Sequence, residues 1–363
     1  MEKMLITGAT GFLGSRAVDF YTGKYKVYAP THRELDITDP QAAAHVIGQY
    51  QPDIVIHCAA ISDVGQCGRE PEKSWAINVA GSINIAKASR EANASCILCS
   101  SDQVYFGDCS PAQTEQISQQ GTYREHPEPN RYPAHTEQIS QLGSIRQHHV
   151  AYSSPAQTEQ ISQQGSKQEK PEELQSSAQG GNSHGFHKSH SEEESLCPVN
   201  VYGQQKLEAE QGCLKANPDC VVLRLSWMYD ANRRKPGQHG DLFCTLLPQI
   251  RGTGKIPFPI YDRRGITDIT EVVQNLEKTF RLKGGVYNFG SPNGADTYST
   301  FWEAFSNAGL DTGRLEENKE AFRTNPRNLT MSQEKINQCG IFFSPTIESL
   351  SKNLANALEN GIF

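Results

Sequence analysis

Tyr202 and Lys206, in the segment VYGQQK, form the only Tyr-x-x-x-Lys pair in the chain. The residues around them predict a helix, on which side chains four positions apart share a face. An ammonium group beside a phenol stabilises the phenolate, so Lys206 is expected to lower the pKa of Tyr202 from about 10 toward working pH. Tyr202 is then predicted to be a general acid that gives its proton to a carbonyl oxygen as hydride reaches the carbon. The alternative is a surface tyrosine beside a solvated lysine.

Three glycines, Gly8, Gly11 and Gly14, lie in TGATGFLG, where an apolar run ends and a helical pattern begins. In this position the first glycine permits a tight turn and the second lets the backbone approach a pyrophosphate. The third lets the helix pack on the sheet, and the helix N-terminus faces the negative charge. The sequence therefore predicts a dinucleotide site, with a glycine-rich turn that binds nothing as the alternative.

Strand and helix patterns alternate through the chain on both sides of a long polar segment. This alternation predicts an α/β fold, a Rossmann-like doubly wound parallel sheet. Residues 1–106 are predicted to be its dinucleotide-binding part, and residues 196–229 complete that part and carry the Tyr202 helix. Residues 230–363 are predicted to be mainly a small C-terminal substrate-binding portion, with one further strand of the sheet near 285–290.

The polar segment, residues 107–195, contains a tandem repeat with a period of 22 residues. SPAQTEQISQQG occurs at Ser110–Gly121 and again at Ser154–Gly165, with a related copy at Tyr132–Gly143 between them. Each copy has little apolar surface beyond one isoleucine, whereas a solenoid repeat needs an apolar face to stack on its neighbour. Ordering the backbone costs about 1–2 kcal/mol per residue, and nothing here offsets that cost. We predict a long, mostly disordered insert, with a solenoid as the alternative.

The overall composition narrows the expected partners and location. A net charge of −7 gives no basic surface for nucleic acid. No apolar run is long enough for a membrane span, so we expect a cytoplasmic protein without a membrane partner. The ten cysteines are scattered, and we expect free thiols and no metal site. His184, His187 and His190 are interpreted as low-complexity histidines, with weak metal binding as the alternative.

The glycine spacing and the Tyr-x-x-x-Lys pair together resemble the extended short-chain dehydrogenases/reductases. Within that superfamily, the chain outside the insert is similar to the dTDP-4-dehydrorhamnose reductases. Six segments carry this resemblance in sequence order: LDITD, PDIVIHCAA, AINVAGSINIA, SSDQVYFGD, PVNVYGQQKLEAE and LRLSWMY.

The resemblance implies a set of site residues. Tyr202, Lys206 and Ser101 would be catalytic, with Ser101 holding the oxygen that Tyr202 protonates. Ser101, Asp102 and Trp227 would contact the sugar. The cofactor would contact Gly8, Thr10, Gly11, Phe12, Leu13, Gly14, Arg33, Asp36, Ile37, Ala59, Ala60, Tyr202 and Lys206. The second strand is followed by His32 and Arg33 and not by an acidic residue that would bind a ribose 2′-hydroxyl. These two side chains suit a 2′-phosphate, so we expect NADPH in preference to NADH.

The activity that the resemblance implies is reduction of the 4-keto group of a nucleotide-activated 6-deoxyhexose, with dTDP-L-rhamnose as the product. A homodimer is one possible assembly. Two alternatives share the cofactor site. One is a regulatory subunit that binds a dinucleotide without turnover, as in the beta subunit of methionine adenosyltransferase, and the other is a nucleotide-sugar epimerase.

Overall fold

The computed structural model describes residues 1–107, 188–232 and 241–361. The repeats at 110–165 and the predicted disorder of the insert lie outside the described residues, as do His184 and His187. The strands are β1 (Lys3–Thr7), β2 (Lys26–Tyr28), β3 (Ile54–His57), β4 (Ser95–Ser101), β5 (Val221–Leu225), β6 (Trp227–Tyr229), β7 (Ile256–Pro259), β8 (Asp262–Arg264), β9 (Ile266–Asp268), β10 (Gly285–Phe289), β11 (Leu315–Asn318) and β12 (Arg327–Leu329).

The described α-helices are α1 (Phe12–Tyr21), α2 (Pro40–Tyr50), α3 (Val64–Arg69), α4 (Pro71–Trp75), α5 (Ser82–Glu91), α6 (Val201–Ala216), α7 (Leu242–Arg251), α8 (Ile269–Thr279), α9 (Thr297–Asn307), α10 (Glu334–Gln338) and α11 (Thr346–Glu359). A π-helix at Ala76–Gly81 joins α4 to α5, and a 3₁₀ turn at Asp102–Tyr105 follows β4. Asp or Asn side chains accept a backbone N–H at the start of several of these helices, among them Asp39, Asn200 and Asp268.

Six parallel strands form the main sheet in the order β10-β5-β4-β3-β1-β2. The predicted doubly wound α/β fold and the predicted further strand at 285–290 are therefore confirmed. The order reverses between β1 and β3, and ligands of open parallel sheets bind at the carboxyl ends of the strands beside such a reversal. The glycine turn follows β1, and Ala59 and Ala60 follow β3.

Helices cover both faces of the sheet. Residues of α1 and α8 share one buried cluster with β1, β3, β4, β5 and β10. On the other face, α2 and α5 pack over β1 and β3, and α5 and α6 pack over β4 and β5. A second apolar core belongs to the C-terminal portion and joins β6, β7, β9 and β11 to α7, α9 and α11.

The segment CVVLRLSWMY reads as one strand in the sequence, but the structure divides it at Ser226. β5 belongs to the main sheet, whereas β6 pairs with β9 of the C-terminal portion. The Ser226 Oγ atom lies 2.5 Å from Thr267 Oγ1, which fixes the chain where it leaves the sheet. Trp227 is thereby placed beside β9.

Residues 188–195 were assigned to the insert from their polar composition, yet they pack on the folded part of the chain. His190 forms an isolated parallel bridge with Met331, and its ring stacks on Tyr105 at a centroid distance of 4.7 Å. Its ring nitrogens contact Glu194 Oε2 and the Asn328 carbonyl oxygen. Polar residues are ordered here because these partners, distant in sequence, satisfy them.

Cys197 is disulfide-bonded, so the expectation of free thiols is wrong at this position. The other eight described cysteines are free. Cys96 and Cys99 face opposite sides of β4, as their spacing predicts. Cys96 contacts Cys220 at an Sγ–Sγ distance of 3.8 Å, and Cys99 contacts Cys58 at 3.6 Å.

Candidate active site

The glycine turn after β1 is closely packed against the start of α1 and the end of β3. Gly8 has a φ of +68°, which favours glycine, and a Cβ on it would lie 2.6 Å from the Ala59 nitrogen. A Cβ on Gly14 would lie 2.2 Å from the Gly8 carbonyl oxygen. Gly11 precedes α1, where no side chain caps the helix and the first turn holds no acidic residue. The first N–H groups of α1 are therefore suited to an anion, and the turn fits a pyrophosphate.

A buried histidine holds the ends of β1 and β3 together. His57 Nδ1 lies 2.7 Å from Thr7 Oγ1, and His57 Nε2 lies 3.0 Å from Ser82 Oγ. Ser82 donates to the Asn78 carbonyl oxygen, and Thr7 Oγ1 accepts from the Ala59 N–H, so the bonding pattern assigns the proton of His57 to Nε2. Burial, and then the charge of Lys206, lowers the pKa of His57 to about 3. The ring is therefore neutral at pH 7.

Tyr202 and Ser101 meet at the carboxyl end of β4. Tyr202 is in the first turn of α6, and its side chain is buried. Burial is the largest influence on the pKa of Tyr202 and raises it well above its usual value, while the nearby Ser101 hydroxyl acts in the opposite direction. The charges of Asp102, Cys67 and Cys99, when ionised, raise it further. The two hydroxyl groups predicted to be catalytic are thus brought together.

Lys206 lies one turn further along α6, and its ammonium group is bound to the backbone of β4. Its Nζ atom donates to the Cys99 carbonyl oxygen at 2.9 Å and lies 5.8 Å from the Tyr202 ring centroid. Burial lowers the pKa of Lys206. The expected lowering of the Tyr202 pKa is therefore wrong for this structure, because burial of the phenol raises that pKa.

The predicted sugar contacts, Asp102 and Trp227, are joined by Arg264, which the sequence did not single out. Asp102 Oδ2 accepts from Arg264 Nη2 at 2.8 Å, and Asp102 Oδ1 accepts from Ser101 Oγ at 3.2 Å. The Arg264 guanidinium lies over the Trp227 ring at 5.0 Å from its centroid. Asp102 is only 2% exposed. The structure therefore brings Ser101, Asp102 and Trp227 into one cluster.

Buried polar side chains hold α6 against its neighbours. Asn78, in the π-helix, donates from Nδ2 to Gln205 Oε1 at 3.0 Å and to the Ile61 carbonyl oxygen at 3.0 Å. Gln205 in turn donates to the Pro71 carbonyl oxygen and to Ser74 Oγ. These contacts fix α6 between Tyr202 and Lys206. The sequence did not predict them, because the partners are far apart along the chain.

A buried ion pair joins the same helix to β5, the neighbour of β4 in the sheet. Arg224 donates to the Glu210 carboxylate, with an Nη2–Oε2 distance of 2.8 Å, and both side chains are at most 3% exposed. Ser100 donates to Glu210 Oε1 at 2.5 Å, and Arg224 Nη1 donates to the Tyr105 hydroxyl at 2.7 Å. Glu210 lies four residues after Lys206 and eight after Tyr202, so one face of α6 carries all three.

The remaining residues predicted to bind the cofactor differ in their exposure and in their contacts. Thr10 is exposed in the glycine turn, and Phe12 is half-buried. The Leu13 side chain is buried in the core, so only its backbone N–H is available to a ligand. Asp36 Oδ1 accepts from Thr38 N and Oγ1, and Ile37 is buried against Gly81. Arg33 is exposed in the turn after β2. Their contacts with a cofactor stay predictions.

A doubly wound sheet with a glycine turn after β1 and a Ser101, Tyr202 and Lys206 group at the end of β4 defines the class of the extended short-chain dehydrogenases/reductases. Comparison with known proteins narrows the class. The family model described as RmlD substrate binding domain matches residues 1–133 and 181–358. The chain therefore belongs to the RmlD family.

Individual relatives agree with this assignment. The dTDP-4-dehydrorhamnose reductase of Aggregatibacter actinomycetemcomitans is 33% identical over 303 residues, covering 80% of this chain and 74% of that protein. The methionine adenosyltransferase 2 subunit beta of Rattus norvegicus is 33% identical over 125 residues, covering 32% of this chain and 37% of that protein. The crystal structure of the Bacillus anthracis dTDP-4-dehydrorhamnose reductase in complex with NADP has a TM-score of 0.67 at 18% identity, covering 97% of this chain and 98% of that one. The resemblance to dTDP-4-dehydrorhamnose reductases is confirmed.

No described helix has both the length and the apolar composition needed to span a membrane.

Proposed function

We propose that this protein is an NADPH-dependent oxidoreductase that reduces the 4-keto group of a nucleotide-activated 6-deoxyhexose, with dTDP-4-dehydrorhamnose as the substrate and dTDP-L-rhamnose as the product. The observation that carries the proposal is the meeting of the Ser101 and Tyr202 hydroxyl groups at the carboxyl end of β4, one helical turn from Lys206. Family membership and the reductase named among the relatives support it.

The glycine turn, Ala59 and Ala60 would hold the dinucleotide, with its pyrophosphate at the N-terminus of α1. Lys206 would hold the nicotinamide ribose. A bound NADPH supplies the hydride. The exposed Arg33 would meet a 2′-phosphate, and for this reason we expect NADPH to bind more tightly than NADH.

Ser101 and Tyr202 perform the proton chemistry at the ketone. As negative charge develops on the 4-keto oxygen, Ser101 donates a hydrogen bond to it and Tyr202 transfers its phenolic proton to it. Burial keeps Tyr202 protonated near neutral pH, which is the form that a proton donor requires. Asp102 and Trp227 would hold the sugar while the C4–H and O–H bonds form.

The experiment follows the oxidation of NADPH by its absorbance, with dTDP-4-dehydrorhamnose as the substrate. It compares the wild type with Tyr202→Phe. Loss of a general acid is expected to lower kcat on the order of 10²- to 10⁴-fold, with NADPH affinity nearly unchanged. Tyr261→Phe is the matched control, because it removes a phenol at an exposed position and is expected to keep wild-type rates. Wild-type rates in Tyr202→Phe would refute the assigned proton donor.

A dinucleotide-binding regulatory subunit is the second candidate, and the segment similar to methionine adenosyltransferase 2 subunit beta favours it. Firm NADPH binding without oxidation of the cofactor would support that candidate. Interconversion of nucleotide sugars with no net cofactor consumption would instead support an epimerase.

A further inference from the structure

Arg264 lies next to the candidate active site without belonging to the predicted machinery. It is the last residue of β8, and it contacts both residues predicted to hold the sugar, Asp102 through an ion pair and Trp227 through its ring. The partner carboxylate is 2% exposed and the arginine side chain is 11% exposed. Little water screens this pair, so the charge of Arg264 acts strongly on Asp102.

Strand β8 is held in place by contacts that do not involve the Arg264 side chain. Asp262 accepts from Arg327 Nε at 2.7 Å and from Thr297 Oγ1 at 3.0 Å, and β8 pairs in parallel with β12. The buried Nε atom of Arg264 has no hydrogen-bond partner among the described residues. A buried donor without a partner costs stability, and such costs are found where a residue serves function.

The carboxylate that Arg264 binds is connected to the proposed catalytic hydroxyl groups. One oxygen of Asp102 accepts from Arg264 and the other accepts from Ser101 at 3.2 Å. Ser101 must give up its bond to Asp102 in order to donate to the ketone, and without the arginine the full charge of Asp102 would hold the Ser101 hydroxyl more strongly. The same charge would also oppose formation of the Tyr202 phenolate.

Resting on the proposed function, we propose that Arg264 is a positioning residue for the reduction. By neutralising Asp102 and fixing it beside Trp227, it weakens the hold of Asp102 on the Ser101 hydroxyl, so that Ser101 can turn to the ketone oxygen.

The groups that face Tyr202 define how the pH dependence responds. Cys67 on α3, Cys99 on β4 and Asp102 in the 3₁₀ turn raise the pKa of Tyr202 when they are ionised, and Lys206 is the cation on its own helix. Replacing Arg264 by a neutral residue leaves Asp102 unopposed and raises the pKa of Tyr202 further. Because burial already holds this pKa well above its usual value, the phenol stays protonated at every pH of the assay, and the role of Arg264 is tested through rates.

The test measures NADPH-dependent reduction of dTDP-4-dehydrorhamnose in a double-mutant cycle of Arg264→Gln and Asp102→Asn, with Arg264→Lys as the conservative variant. Arg264→Gln is expected to lower kcat/KM by on the order of 10- to 100-fold in the wild-type background, as expected for a displaced catalytic group. In the Asp102→Asn background the same change is expected to cost less than about threefold, because Arg264 acts through Asp102. Arg264→Lys keeps the charge that neutralises Asp102 and is expected to keep kcat/KM within about threefold of the wild type.

NADPH affinity, measured by fluorescence, reports on folding and is expected to be unchanged in every variant. Arg323→Gln, which removes an exposed arginine, is the matched control. An equal loss in both backgrounds, or a loss in Arg264→Lys as large as that in Arg264→Gln, would overturn the inference and leave the proposed function standing. A wild type that binds NADPH without reducing the substrate would overturn both.

Discussion

The ring of His57 is expected to make the folded protein sensitive to mild acid. The pKa of this histidine is 6.5 in an exposed chain and about 3 in the folded protein, where burial and the charge of Lys206 disfavour the imidazolium. A histidine with a lowered folded pKa binds more protons when unfolded, so its contribution to stability is lost as the pH falls below 6.5. At about 1.36 kcal/mol per pH unit, these two values predict a loss of about 3 kcal/mol between pH 7 and pH 4.

The assay is urea unfolding at a series of pH values for the wild type and His57→Gln, which removes the titrating ring and keeps a donor for Ser82. Carboxylates also titrate in this range, so the difference between the two proteins isolates the histidine. His45→Gln is the matched control, because His45 is exposed on α2. The difference in unfolding free energy between the wild type and His57→Gln should shift by about 3 kcal/mol from pH 7 to pH 4. Parallel curves for the two proteins would refute the reasoning.

Two further changes test the support of the site and the role of the insert. Arg224→Leu leaves the Glu210 carboxylate buried without its cation, and urea unfolding is expected to show a loss of about 3–5 kcal/mol in the free energy of unfolding. Combining Glu210→Leu with Arg224→Leu should recover part of this loss. An equal loss in the double variant would contradict the ion-pair argument. Deletion of residues 112–186 should change the unfolding free energy by only about 1–2 kcal/mol, because loop closure depends on the logarithm of loop length, and should leave turnover intact. Extending that deletion through Glu194 also removes the His190 ring that stacks on Tyr105, and this should lower the midpoint of thermal unfolding. Equal midpoints for the two deletions would show that the contact does not stabilise the fold.

The sequence was sufficient for the features whose signals are local. The glycine turn, the position of the Tyr202 helix and the strand at 285–290 each follow from composition and periodicity over fewer than about twenty residues. The boundary of the insert was not predictable in this way, because Lys188–Ser195 is polar and packs on residues far away in sequence, among them Tyr105 and Asn288.

The side chains that support the site were hidden for the same reason. Asp102 and Arg264 are 162 positions apart, Asn78 and Gln205 are 127 apart, and Ser100 and Glu210 are 110 apart. No periodicity connects such pairs, and each residue read alone is an ordinary polar residue. They become recognisable only when the parallel sheet places the end of β4 beside α6 and the C-terminal portion.

The acidity of Tyr202 is the point at which spacing alone misleads, and the reason bears on the proton that this phenol carries. Spacing places an ammonium near a phenol and so predicts a lowered pKa, but the lysine donates to Cys99 and burial raises the pKa of the phenol. Oxidation of an alcohol requires a base at this position, whereas reduction of a ketone requires an acid. With its pKa raised, Tyr202 is in the form that donates a proton to a ketone oxygen, which agrees with the reduction proposed for this site.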